Sequence, residues 1–221
     1  MVSGADWPRV HHVDRQAFGG LDVGAVSDLT PLLWAVPCRS VDGAWDLLMR
    51  CFLPETALTY SRNKDLYRSW RDAGWLTVTP GEVVDYRQVT DAILADARRL
   101  DIQRLTIDAK FQGIQIATTL ADQGIRVAEM SQTHTAFAAP MRELERLVKA
   151  GTLHHGGNPI LRWCMSNLVV RMDQDGGMKP DKRRSHEKID AVVSLAMALD
   201  GAVRQPLPTA SVYETRGVLV F

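Results

Sequence analysis

The chain has 221 residues, enough for one large domain with a substantial core. Lysine plus arginine equals aspartate plus glutamate at 26 each, which excludes the global basic field of a protein held to nucleic acid by net charge. Any polyanion site must therefore be a local cluster. Cys38, Cys51 and Cys164 are an odd set without Cys-x-x-Cys spacing, against a disulfide framework or a zinc knuckle, and read as buried thiols in a reducing compartment. No apolar run approaches the roughly 20 residues that span a bilayer, and no signal-peptide core opens the chain, so a soluble intracellular protein is expected, with no membrane partner.

Residues 1–15 have no clear period and read as a lead-in, with His11-His12 too few for a metal clip. Three strand-like runs follow, Gln16–Asp22, Leu29–Val36 and Ala44–Phe52, and their short links predict an antiparallel meander. Leu66, Tyr67 and Trp70 then lie at helical spacing within Ser61–Asp72, closed by Gly74, and Leu76–Thr79 is a short strand. Asp85 and Gln88 form a capping box ahead of a helical face made by Val89, Ile93, Ala97 and Leu100. The strand Ile102–Ile107, the helix Gly113–Asp122 and the strand Ile125–Met130 come next, and right-handed crossovers make these strands parallel neighbours.

The last third is helical. Met141, Leu144, Leu147 and Val148 mark a helix ending near Gly151, Ile160–Val170 a second, and His186–Leu199 a third. Between the last two, Arg171–Ser185 is rich in Gly, Pro and charge and reads as a loop; the tail from residue 203 holds a strand-like Gly217–Phe221. The domain proper is thus expected over residues 16–202. Three antiparallel strands, alternating helices and strands, and a closing helix resemble the element order of an RNase H-like α/β fold, a mixed sheet flanked by helices.

In such a sheet the first strand and the later parallel strand are neighbours. Asp22 and Asp108, each at a strand end, then come together, and the closing helix can bring Asp190 to the same edge. Carboxylates are the ligands that Mg²⁺ and Mn²⁺ prefer, with water and substrate phosphate completing the octahedron. Two such ions about 3.5–4 Å apart can activate a water and stabilise the departing oxygen of a phosphodiester. Asp190 is the most informative of the three: it sits in the apolar run Lys188–Leu199, where an unpaired charge is too costly to keep and a metal partner answers the cost.

His186, Glu187 and Ser194 share that helix and read either as accessory groups or, for the first two, as helix-start caps. Asp28 reads as an accessory acid or equally as a turn residue. Lys182, Arg183, Arg184 and Lys188 form a basic run that is either a solvated loop or a DNA-backbone contact; its position beside Asp190 favours the second. His154-His155 lack a third ligand at zinc spacing and read as loop residues.

Taken together, Gly20-Leu21-Asp22 with Ser27–Thr30, Ile107-Asp108, Gly157–Trp163 with Asn167, and Lys188–Val193 resemble the C-terminal nuclease domain of the large terminase subunit of tailed bacteriophages. The resemblance covers most of the chain from Phe18 to Leu199. It implies a metal-dependent endonuclease that cuts concatemeric viral DNA during packaging, with Asp22, Asp108 and Asp190 as ligands of two Mg²⁺ or Mn²⁺ ions. It also implies double-stranded DNA, an ATPase domain, a portal and a small terminase subunit as partners, in the cytoplasm of the infected bacterial host. Two departures stand out: Asp108-Ala109-Lys110-Phe111 replaces an expected Asp-Pro-aromatic motif, and no Gly-x-x-x-x-Gly-Lys-Ser/Thr loop is present. An excised domain with Met1–Gly4 as a cloning remnant is therefore expected. Two alternatives are a noncatalytic docking domain of the same fold and a nucleotide-binding module of the actin and sugar-kinase type, suggested by Leu21–Gly24 but lacking a second glycine-rich phosphate loop.

Overall fold

The computed structural model describes residues 15–24, 28–108 and 112–204. The lead-in 1–14 with His11-His12, Ser27, the Ala109–Phe111 part of the second motif and the tail strand Gly217–Phe221 lie outside the described residues. The first three strands are β1 (Arg15–Leu21), β2 (Thr30–Pro37) and β3 (Trp45–Pro54). They form the expected antiparallel meander, with Leu21 opposite Leu32 and Leu33 opposite Met49. Alternation explains why the strands belong in the middle of a sheet. In β2, Leu33 and Ala35 enter one apolar cluster while Leu32, Trp34 and Val36 enter the other, so both faces are covered.

After β3 come α1 (Ala57–Tyr60), α2 (Lys64–Asp72), β4 (Thr77–Thr79) and α3 (Tyr86–Ala97), the last begun by Asp85 accepting from the Arg87 N–H. Then follow β5 (Leu100–Ile107), α4 (Gln112–Asp122) and β6 (Val127–Glu129), and β5 lies parallel to both β1 and β6. The main path of the sheet is β4-β3-β2-β1-β5-β6. Helices α3 and α4 cover one face.

The other face is covered mainly by α5 (His134–Ala150), α6 (Pro159–Ser166) and α7 (Asp190–Arg204). Between α5 and α6 a two-residue strand, β7 (Leu153–His154), pairs with the start of β3. Four expectations change here. The helix begun at Met141 starts earlier, capped by Thr133, and runs through Pro140; the one expected over Ile160–Val170 stops at Ser166. The loop Arg171–Ser185 contains a hairpin, β8 (Val170–Met172) with β9 (Met178–Pro180), turned by Gly176 at φ +74° and by Asp173 accepting from the Gly177 N–H. Finally, the closing helix begins at Asp190 rather than His186.

Helix α7 is buried from Asp190 through Ala202 and lies against β1, β2 and β5. That close approach depends on Gly20, where a Cβ would fall on the carbonyl oxygen of Ser194 and 2.7 Å from the backbone nitrogen of Ala198. Backbone atoms of a buried helix cannot rotate aside. Gly20→Ala should therefore destabilise the domain by about 3 kcal/mol or more, the severe end of overpacking. Urea unfolding measures it, and a loss below about 1 kcal/mol would show that α7 moves freely on the sheet. Among the described residues no helix is long and apolar enough to cross a membrane.

Candidate metal centre

The parallel register pairs Leu21 with Ile107, so Asp22 and Asp108 leave neighbouring strands at the same end of the sheet. Adjacent strands lie about 4.8 Å apart, which sets the scale of their separation. Asp22 is fixed from two sides: its backbone N–H donates to Ser194 Oγ at 3.1 Å, and Ser194 Oγ donates to the Pro31 carbonyl at 2.8 Å. Ser194 therefore ties the end of β1 to α7. From sequence, Ser194 reads as an accessory group on the Asp190 helix.

Asp190 is the first residue of α7, where the helix dipole favours a negative charge. The sequence reading put it inside the helix, and the structure moves it to the open end. His186 and Glu187 accordingly precede the helix. Glu187 is held by Arg62 at 2.6 Å and by Asn63, away from any shared face with Asp190.

One cation joins the two acids. Lys182 Nζ lies 2.7 Å from Asp22 Oδ2 and 2.9 Å from Asp190 Oδ1. Both carboxylates are buried, at 5% and 7% side-chain exposure, and Asp190 Oδ2 has no hydrogen-bond partner among the described residues. Burial, followed by the Asp190 and Asp108 charges, pushes the Asp22 carboxyl up to about 7 against the pull of Lys182. Burial acts to lower the Lys182 ammonium, but Asp22 and Asp190 outweigh it and hold it above the ordinary lysine range.

Asp108 is half-buried and accepts from Gln132 Nε2 at 2.6 Å. Gln132 was not singled out from sequence; it lies just past β6, and its carbonyl is in turn held by Lys179 of β9. Asp28 joins the same corner. Lys188 Nζ lies 2.8 Å from it, and burial, then the Asp190 charge, raises its carboxyl above the usual range. The segment Gly157–Trp163 supplies the start of α6, where Asn158 caps Ile160 and Leu161, and Asn167 at the other end reaches the Lys188 carbonyl.

The basic run is divided. Lys182 is turned onto Asp22 and Asp190, and Lys188 onto Asp28, while Arg183 and Arg184 are exposed and Arg184 stands 3.8 Å from Asp181. Beside them is a cavity of about 370 Å³ lined by Gln132, Arg171, Lys179, Lys182 and Arg183 among others. It adjoins Asp108 through Gln132 and the other two acids through Lys182. The cavity thus presents a cationic wall on the side of the three acids.

Do these residues fit divalent ions? The donors are hard oxygens, one buried oxygen is orphaned, and a cation already sits between two of the acids. The acids are not a single-ion cage: among the described residues, the trio whose ligand atoms all lie within 4.8 Å of one another is Cys38, Asp46 and His154. Ligands shared between two ions about 3.5–4 Å apart need no such crowding. The donor chemistry therefore suits hard divalent ions.

Comparison with known proteins agrees with this architecture. The family model described as terminase large subunit, endonuclease domain, matches residues 5–205. Protein YmfN of Escherichia coli strain K12 is 32% identical over 176 residues, 75% of this chain and 38% of that protein. The terminase large subunit of Enterobacteria phage HK97 is 28% identical over 191 residues, 85% of this chain and 38% of its own length. The crystal structure of the HK97 large terminase superposes with a TM-score of 0.76 at 28% identity, covering 91% of this chain and 43% of that one. The large terminase nuclease of thermophilic phage G20c with bound magnesium shares the RNase H-like fold, with a TM-score of 0.55 at 14% identity over 84% of this chain and 81% of that one. The chain thus spans about two-fifths of the curated relatives it matches.

Proposed function

Because the chain belongs to the terminase large subunit endonuclease-domain family, we propose that it is a divalent-metal-dependent endonuclease that cuts concatemeric double-stranded viral DNA during genome packaging. Asp22, Asp108 and Asp190 are the proposed ligands of two Mg²⁺ or Mn²⁺ ions. The observation that carries this reading is the convergence of Asp22 and Asp190, distant in sequence, on one ammonium beside the end of β5. That a related phage nuclease binds magnesium supports the choice of ion.

The ions, when bound, would neutralise developing charge and lower the pKa of the attacking water. Everything else falls to the protein. Ser194 holds the Asp22 backbone, Gln132 orients the Asp108 carboxylate, and the start of α7 positions Asp190. Arg171, Lys179 and Arg183 along the adjoining cavity hold the DNA backbone by sequence-independent contacts. Lys182 balances the charge of Asp22 and Asp190. An ATPase motor domain, a portal and a small terminase subunit are the partners this reading implies, in the cytoplasm of the infected host.

Supercoiled plasmid incubated with the protein and Mg²⁺ or Mn²⁺ should be nicked and then linearised, and EDTA should stop both. Cleavage that survives EDTA removes the metal from the proposal. No cleavage with any divalent ion would leave a noncatalytic docking domain, in which Lys182 permanently neutralises the acids.

A further inference from the structure

At the other end of the sheet from the acidic corner, three side chains of different chemistry meet. Cys38 follows β2, Asp46 is the second residue of β3 and His154 is the last residue of β7. Their potential ligand atoms all lie within 4.8 Å of one another. His154 Nδ1 is 3.1 Å from Asp46 Oδ1, and Cys38 Sγ is 3.2 Å from Ser40 Oγ. The place is remote from Asp22, since β1 runs from Arg15 at this end to Leu21 at the other, about 20 Å at 3.3 Å per residue.

We propose that Cys38, Asp46 and His154 form a separate zinc-type metal site, binding a borderline cation at this edge of the sheet. The proposal is independent of the nuclease reading. An exposed His–Asp ion pair is common and needs no thiol. Here the thiol is itself unusual: Cys51 and Cys164 are 1% and 0% exposed, as free cysteines generally are, whereas Cys38 is half-exposed beside an imidazole and a carboxylate. The sequence reading of three buried thiols and of His154 as a loop residue is corrected at both points.

The geometry suits such an ion. Tetrahedral zinc, with bonds of about 2.3 Å to sulfur and about 2.0–2.2 Å to nitrogen and oxygen, sets its ligand atoms roughly 3.3–3.7 Å apart. From a trio already within 4.8 Å, closure needs movements of about 1 Å, which an exposed histidine and a cysteine in the β2–β3 connection can supply. The framework around them is fixed. The Cys38 N–H donates to Ala44 O at 2.8 Å, the Trp45 N–H donates to Thr152 O at 2.9 Å, and β7 pairs with Trp45 and Asp46.

Arg15 plays the supporting role. It is buried, donates to the second oxygen of Asp46 at 3.1–3.2 Å and also to the Pro37 carbonyl, so that Asp46 Oδ1 stays aimed at His154. Mixed sulfur, nitrogen and oxygen donors select zinc-like ions over Mg²⁺ or Mn²⁺, and a water takes the fourth position. Bound there, the ion ties the α5–α6 connection to the β2–β3 hairpin.

Co²⁺ titration of the whole chain tests this, because a thiolate bound to cobalt gives a near-ultraviolet charge-transfer absorption that carboxylates cannot produce. One equivalent of Co²⁺ should generate the band, and Zn²⁺ should displace it. Cys38→Ser should abolish the band, His154→Ala should weaken Co²⁺ affinity by about tenfold or more, and Asp190→Asn should leave the band intact. Zn²⁺ should also raise the Tm of the Asp190→Asn protein but not of the same protein carrying Cys38→Ser. Absence of the band in large Co²⁺ excess, or its survival in Cys38→Ser, overturns the proposal.

Discussion

Asp190→Asn should reduce plasmid cleavage by more than about 100-fold while leaving the metal-free domain folded. Groups that merely orient metal ligands cost about 10- to 100-fold when changed, so loss of a ligand should exceed that range. The amide keeps the carboxylate's shape and removes the charge an ion requires. Folding should survive because the amide oxygen can still accept from Lys182 Nζ, Asp190 Oδ2 has no partner to lose among the described residues, and a neutral amide is cheaper to bury than a charged group. Rates on supercoiled plasmid, alongside thermal unfolding without metal, measure both halves. Near wild-type cleavage would remove Asp190 from the proposed site, and an unfolded variant would make it a structural residue.

The second large effect concerns Lys182. Substitution by Gln removes the cation between Asp22 and Asp190 and leaves two buried acids facing each other. Breaking a fully buried pair costs about 3–5 kcal/mol; with the lysine side chain 42% exposed, solvent screening reduces this to about 1–3 kcal/mol. For a domain of this size each kcal/mol corresponds to about 2–4 °C of Tm. Saturating Mg²⁺ should recover most of the loss, because an ion that binds only the folded state stabilises it by mass action. Equal losses with and without Mg²⁺ would mean that no ion replaces the ammonium.

The same acids set a pH signature for the metal-free protein. The Asp22 carboxyl is raised from 3.8 to about 7, chiefly by burial, so between those values the folded state keeps a proton that the unfolded chain has released. Stability from this group is therefore greatest at low pH and is lost as pH rises from about 4 to about 7. Lys182→Gln removes the charge that lowers the Asp22 carboxyl and should extend the loss to higher pH. The difference in Tm between wild type and Asp22→Asn across this range isolates the effect; a difference that does not vary with pH would mean that Asp22 is ionised throughout.

Much of the scaffold is written locally. The alternation in Leu32–Val36 that feeds both apolar clusters, the Asp85 cap and the apolar spacing of Val89 and Ile93 each specify their element without reference to distant residues. The hairpin of β8 and β9 also had a local signal, Asp175-Gly176-Gly177 between Val170–Met172 and Met178–Pro180, obscured by the surrounding charge. Other features had none. The two-residue β7 exists because β3 offers it an edge, and α7 starts at Asp190 rather than His186 while Arg62 and Asn63 hold Glu187.

By itself, then, the sequence determined the order of the main elements and the three acids worth watching, because period, caps and strand-end carboxylates are properties of neighbouring residues. Only the tertiary structure decided that Lys182 bridges Asp22 and Asp190, that Gln132 steadies Asp108, and that Cys38, Asp46 and His154 meet. Such pairings join residues as much as 160 positions apart. Side-chain charge or sulfur cannot announce them locally, since what fixes each partner is the register of the sheet and the burial of α7 against Gly20.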